Sequence, residues 1–368
     1  MTAPAVIIFH RLAADSDPAL VRWLAEVREE LARRQSELFE RAGARAAKWV
    51  TEWHEGRTFG GVLAELAPAR GGAIVFGSGA VPRLNLGDAR RLVGVAASSE
   101  RVALTNNRYS SDIIALGRAA VLHDLPALPS DNALPRWLEE RAGFTVGELP
   151  GRERLALDLD TPLDVCLAAQ APGAAGWLRS AVAEARLETP RLSDLRALAT
   201  DPHAELLVFG RAGSTTLAWL ERNVRCRVRF LAEERGMRAS SPLAIAGTPP
   251  RTRREPRATL SMVLADRGPS AFAEIVAGLA DGALIDSRVL LAARLGVDEA
   301  NWPSAADRFN SDLHRASEIV DPWLRDLTAS VGAARQPILL GGHSLVGPGV
   351  RLVLGRTGTA AGNERALA

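Results

Sequence analysis

Along the first 165 residues, short unbroken apolar runs alternate with longer stretches whose apolar residues recur every three or four positions. This alternation predicts strands and helices in turn, and hence an α/β fold built on a mostly parallel sheet covered on both faces. Ala5 to Phe9 reads as a buried strand. From Asp17 to Ala42, Leu20, Trp23, Leu24, Val27, Leu31 and Leu38 keep helical spacing among many charges, with Asp17-Pro18 supplying the start. The same reading places strands at 46–53, within GGAIVFGSG, at 102–105 and at 155–159. It places helices at 59–66, from Leu86 to Asp88 onward, over IIALGRAAVL, at 136–142 and after Pro162. Three polar turns, at 77–83, 106–112 and 158–164, fall where strands end, and in such sheets ligands gather beyond the carboxyl ends of strands.

The pattern restarts beyond the Thr189-Pro190 break. AELLVFGRAGSTT is again an apolar strand meeting a polar turn, and 217–237 continues as a helix. The stretch 240–258, rich in proline and arginine, reads as an exposed loop. Helix and strand resume over 272–290, 308–327 is helical, and PILLGGHSLVGPGVRLVLG reads as strand, glycine-rich turn and strand. The expected organisation is a three-layer α/β domain over 1–195, a second, smaller α/β domain over 200–358, and a disordered tail over 359–368.

Composition narrows the chemistry. Lys+Arg 45 against Asp+Glu 43 gives a formal charge of +2, so no overall field directs the protein to nucleic acid or a membrane surface. No run reaches the roughly 18 apolar residues of a membrane span, and the N-terminus lacks the basic flank of a secretory signal. Cys166 and Cys226 have neither metal-type spacing nor the number needed for a disulfide framework, and fit buried thiols in a reducing cytosol. Lys48 is the only lysine. Anion recognition therefore falls to arginines, backbone N–H groups and helix N-termini.

The richest candidate chemistry is LDLDTPLD at 157–164. On a strand, Asp158 and Asp160 point to one face, and an oxygen pair of this kind suits Mg²⁺ with phosphate and water completing its shell. The competing reading is a strand-to-helix turn in which Asp160 or Thr161 caps the helix begun by Pro162.

Together, IVFGSGAVPRLNLGDARRL, LTNNRYSSDIIAL and LDLDTPLDV resemble the nucleotidyltransferases of glycosyltransferase-A type fold, in particular the 2-phospho-lactate and molybdenum-cofactor guanylyltransferases. The resemblance covers about a quarter of the chain. It implies attack by a small phosphorylated or hydroxylated acceptor on the α-phosphate of a nucleoside triphosphate, with pyrophosphate leaving and Mg²⁺ as cofactor. By that resemblance, Asp158 and Asp160 hold the metal, and Gly77, Ser78 and Gly79 offer backbone N–H groups to a phosphate or base. Arg108 receives an acceptor phosphate, and Asn106, Asn107 and Ser110 orient hydroxyls. Asp112 either binds metal or, the preferred reading, caps the helix expected after it. Two departures stand out: Gly77-Ser78-Gly79 replaces the family's acidic ligand, and VIIFHRLAADSD has neither glycine nor lysine where the family carries its triphosphate loop.

Other readings stay open: a catalytically silent ligand-binding or scaffold protein on this fold, or a metal-dependent glycosyltransferase or phosphohydrolase using the same acids. GGHSLVG at 341–347 departs from the serine-hydrolase elbow at Val346, with no histidine after His343, so a tight or phosphate-binding turn is preferred. Arg211 to Thr216 reads as a helix cap or a phosphate site. Asp281, Asp286 and Arg288, and likewise Asp307, Arg308, Asp312 and His314, read as ion pairs or as a second site. Of the tryptophans, Trp137 is the one beside the expected cleft.

Overall fold

The structure, a computed structural model, describes residues 2–52, 56–128, 130–151, 153–235 and 255–355. They form two compact units whose boundary in sequence falls between Leu159 and Asp160. Both units are α/β, the first on a six-stranded mixed sheet and the second on a smaller, four-stranded one. Among the described residues, no helix is long and apolar enough to cross a membrane.

In the first unit, β1 (Ala5–Phe9), β2 (Ala47–Val50), β3 (Ala73–Gly77), β4 (Val102–Thr105), β5 (Ile113–Leu116) and β6 (Thr145–Glu148) lie in the order β2-β1-β3-β5-β4-β6. Only β5 is antiparallel to its neighbours. The carboxyl ends of β1, β3 and β4 therefore share one edge of the sheet, and the chain leaves and re-enters that edge between β4 and β5. β1 and β3 are near-continuous apolar runs because both faces are covered. Val6, Ile8, Ile74 and Phe76 pack against α1 (Ala19–Arg41) and α3 (Leu86–Ala96) through Phe39 and Leu92. Ile7, Val75, Ile114 and Leu116 pack on the opposite face against α2 (Phe59–Leu66) and α4 (Leu134–Glu140). A reciprocal capping box, Asn85 with Asp88, starts α3 at the predicted point.

Three elements differ from the sequence reading in the first unit. IIALGRAAVL is the four-residue strand β5, broken at Gly117-Arg118, where Arg118 takes a φ of +50°; a 3₁₀ turn follows. Its unbroken apolar character reflects burial on both faces, which periodicity alone does not separate from a helix. Asp112 consequently precedes a strand and caps no helix. Leu155 to Leu159 is not a strand: the segment bends at Leu155 and Ala156, joins no ladder, and is tied to the β3 turn by Leu159 N–H donating to the Gly79 carbonyl at 3.0 Å. The short edge strand β6 carries too few apolar residues to signal itself.

The second unit carries β7 (Glu205–Gly210), β8 (Arg227–Ala232), β9 (Gly282–Asp286) and β10 (Ile338–Gly341), all parallel in the order β10-β9-β7-β8. Leu206, Val208, Leu284 and Leu339 face a core shared with α5 (Pro162–Ala169), α7 (Leu192–Thr200) and α8 (Ser214–Asn223); α6 (Gly176–Glu184) lies between α5 and α7 in sequence. Leu207, Phe209, Ile285 and Leu340 face α9 (Thr259–Arg267), α10 (Phe272–Ala277), α11 (Ser287–Leu295) and α13 (Pro322–Ala333).

Here the predicted helix over 217–237 stops at Asn223, and RVRFLA becomes strand β8, whose arginines alternate with apolar residues. The predicted helix over 308–327 is split into α12 (Ala305–Asp312) and α13 by His314, at a φ of +58°, and by Pro322. The strand expected over GVRLVLG is instead helical: α14 (His343–Val346) follows β10 and is succeeded by α15 (Val350–Leu354). Most of the 240–258 loop and the 359–368 tail lie outside the described residues.

Candidate functional site

The first two polar turns predicted from the sequence, 77–83 and 106–112, lie at the carboxyl edge of the first sheet, and the 155–159 segment that leads into the third is hydrogen-bonded to both, through Gly79 and Asn106. The β3 turn opens with Ser78 N–H donating to the Phe9 carbonyl at 2.9 Å, while the Ser78 hydroxyl pairs with His10 Nδ1 at 3.0 Å. Burial, with Arg28 assisting and Glu29 opposing, lowers the His10 pKa, so the ring is neutral at pH 7. Gly79 is tightly hemmed: a Cβ there would stand 3.0 Å from Arg28 Nε, 3.1 Å from the Leu159 carbonyl and 3.3 Å from Asp158 Oδ1. Arg28, on α1, reaches across to that same carbonyl at 2.6 Å. Asp158 Oδ1 accepts from Leu159 N–H at 2.9 Å, which turns the carboxylate back along its own segment.

The turn after β4 is fixed by Asn106, which is fully buried. Its Nδ2 donates to Asp112 at 2.6 Å and to the Leu155 carbonyl at 2.9 Å, and its Oδ1 accepts from Asp112 N–H at 3.0 Å. Asn106 is thereby the clasp between the second turn and the segment that leads into the third. Asn107 accepts from Tyr109 N–H at 3.0 Å, shaping the loop itself. The Arg108 guanidinium pairs with Glu139, and its backbone N–H donates to Glu148 at 2.8 Å. Ser110 is half-buried in the same loop.

Between these turns and β1 lies a cavity of about 240 Å³, walled by Phe9, Phe59, Val75 and Ile114 and rimmed by Gly77, Ser111, Asp112, Ser130 and Asp131. Flat apolar walls with a few polar groups at one side suit a ring with polar edges. Gly77 and Asp112 were expected here. Phe9, Phe59, Ser130 and Asp131 were missed, although the Ser-Asp-Asn turn between prolines at 129–135 carried a loop signal. Trp137 is 7% exposed and belongs to the core behind the cleft. Among the described residues, no group of three or more His, Cys, Asp or Glu side chains converges as metal ligands.

Asp160 belongs to the second unit, where its Oδ2 stands 3.9 Å from His343 Nδ1. Thr161 and Asp164 form the capping box of α5, so the helix-cap reading of this turn is correct for Thr161. Asp164 is fully buried, and only Oδ2 is hydrogen-bonded, accepting from Thr161 N–H at 2.8 Å and its hydroxyl at 2.9 Å; Oδ1 has no partner. Burial, with Asp160 and Asp312 adding repulsion, pushes its pKa up to about 8. The folded state thus holds a proton that the unfolded chain releases near pH 4, so this group's contribution to stability declines as pH rises through that interval. Asp164→Asn keeps the accepting oxygen and places an amide at the unpartnered position. Relative to wild type it is expected to stabilise by about 1–3 kcal/mol near pH 8.5 and to have little effect near pH 5, read by thermal melts at both values.

At the carboxyl edge of the second sheet, Asp286 ends β9, is fully buried, and is held by the Arg211 fork through Nε at 2.6 Å and Nη2 at 3.1 Å. Burial acts to raise its pKa, but Arg211 outweighs this and holds the carboxyl below its usual value. Gly210 lies against it at a φ of +127°, where a Cβ would come within 2.2 Å of the Asp286 Cβ. Arg288, from α11, makes a second buried fork, to Asp312. Ser344 is buried at the start of α14, and His343 is kept neutral by burial and by Arg211.

No protein-family model matches the chain, and no curated protein matches it. Two solved structures of Rv0371c from Mycobacterium tuberculosis H37Rv, one a complex with manganese, are similar to it at 18% identity over 40% of this chain and 89% and 88% of theirs. Their TM-scores of 0.24 and 0.25 define no common fold.

Proposed function

We propose that the first unit binds a nucleoside triphosphate and transfers its nucleotidyl group to a small phosphorylated or hydroxylated acceptor, with Mg²⁺. The observation that carries this reading is that the 77–79, 106–112 and 155–159 segments are hydrogen-bonded together, and that Gly77, Ser111 and Asp112 of the first two help to line a cavity with aromatic walls and a carboxylate rim. Phe9 and Phe59, with ring centroids 4.9 Å apart, would pack on the base. Asp112 and Asp131 accept N–H donors from its edge. Asp158 would offer a single carboxylate, and Mg²⁺ takes one or two such oxygen ligands with water and substrate phosphate completing its shell. A Mg²⁺ held there would supply charge neutralisation to the phosphates. Arg28, anchored on the Leu159 carbonyl, keeps the Asp158 segment against Gly79 and so fixes where that carboxylate stands.

The test is isothermal titration of the full chain with each nucleoside triphosphate, with and without Mg²⁺. Mg²⁺-dependent binding is expected for at least one, and silence for all of them rejects the reading. Asp158→Asn is expected to lower nucleotidyl transfer by about 10²-fold, the usual size of a lost electrostatic contact at a reacting phosphate. A second reading, ligand binding without catalysis, is favoured by the closure of Arg108 on Glu139, which engages the side chain assigned to the acceptor. It predicts that Asp158→Asn leaves nucleotide affinity unchanged and that no pyrophosphate is released.

A further inference from the structure

The second unit contains a concentration of charge that the nucleotidyl-transfer reading does not use. Its sheet order, β10-β9-β7-β8, reverses direction of travel between β7 and β9, and in open parallel sheets that reversal opens a crevice at the carboxyl edge. The residues that leave the sheet there are Arg211 after β7, Arg235 after β8, Asp286 at the end of β9 and His343 after β10. Arg211 and Arg235 leave adjacent strand ends: Gly210 pairs with Ala232 in the ladder and Glu233 N–H donates to the Gly210 carbonyl at 2.8 Å; consistently, burial and then Arg211 lower the Arg235 pKa.

Two guanidiniums held together repel, and a fold accepts that cost where an anion is to be received. Asp286 neutralises Arg211 only along the Nε–Nη2 edge. A guanidinium has five N–H donors in one plane, so the Nη1–Nη2 end is directed away from the carboxylate. Arg235 donates to Glu299 at 2.8 Å and lies over the Trp302 ring at 5.4 Å. Arg308 shares Glu299 and covers the ring at 5.5 Å. Both guanidiniums are thus held in place by acidic partners, which limits the freedom they would lose on receiving a phosphate. The first turn of α8, whose cap is Gly213 with no side-chain acceptor, adds backbone donors beside Arg211.

We propose that this edge of the second unit binds a phosphorylated ligand, a phosphate ester or anhydride, received by Arg211 and Arg235. The site is independent of the proposed nucleotidyl-transfer site.

Two measurements on the full chain test it. In isothermal titration with pyrophosphate and with ADP, Arg235→Gln, in which Glu299 keeps Arg308, is expected to weaken binding about tenfold, the loss of one charge-assisted contact. Tighter binding of ADP than of pyrophosphate at this site identifies a nucleotide, and equal binding identifies the phosphates alone. Because ADP can also occupy the first unit, the site is located by arginine-selective dicarbonyl labelling of the wild type, read by peptide mass. Either ligand is expected to suppress labelling of Arg211 and Arg235 and to leave the exposed Arg179 unchanged. Binding by Arg235→Gln as tight as wild type, or labelling of both arginines that ligand does not alter, overturns the proposal whether or not the first unit proves to be a transferase.

Discussion

Gly210→Ala is expected to abolish the folded second unit, at a cost of about 4 kcal/mol or more. Two effects add. The φ of +127° is one that a side-chain-bearing residue rarely adopts, and the new methyl would stand 2.2 Å from the Asp286 Cβ, on the neighbouring central strand. Neither strand can withdraw, because Gly210 also accepts from Glu233 N–H at 2.8 Å, tying β7 to the exit of β8. Circular dichroism and thermal melting of the purified variant check this. Gly94→Ala is the control: a Cβ there meets nothing within 4 Å, and helix propensity predicts a small gain.

Arg211→Met is expected to cost about 3–5 kcal/mol, because it strands a fully buried carboxylate. The sign of the pH dependence changes as well. In wild type the depressed pKa of Asp286 makes its contribution present above the ordinary carboxylate range and lost as pH falls through the folded value. Without the fork, burial is left to raise the pKa, so the folded state takes up a proton and stability declines as pH rises past that range. The double variant Arg211→Met with Asp286→Asn removes the stranded charge and is expected to recover most of the loss. Urea unfolding of the wild type, the single variant and the double variant at about pH 5 and about pH 8 separates these outcomes. A double variant no more stable than the single one rules out the stranded charge as the cause.

The fold class was legible because the central strands are unbroken apolar runs: Ala5–Phe9, Ala73–Gly77 and Glu205–Gly210 lie where the pattern put them. Helix starts were legible where capping chemistry is local, as at Asn85 with Asp88 and Thr161 with Asp164. Legibility failed where burial on two faces imitates a helix, as in β5, and where an edge strand carries arginines, as in β8. It failed also for side chains whose partners are distant in sequence. Nothing local to Asn106 signals that its amide will reach Leu155, nor anything near Arg28 that it will hold Leu159. The turns themselves were readable as polar interruptions; Phe9, Phe59 and Asp131 joined them only through the sheet order, which short-range pattern does not encode.

The reversed strand in the middle of the first sheet sets how the 106–112 segment behaves as a recognition element. Since β4 enters it and β5 leaves it side by side, both of its ends are bolted to adjacent rungs of one ladder, and Asn106 staples its base. A segment of this kind has little conformational freedom to surrender when a guest arrives. On the proposed nucleotide-binding reading, selectivity at this mouth would rest on fixed shape.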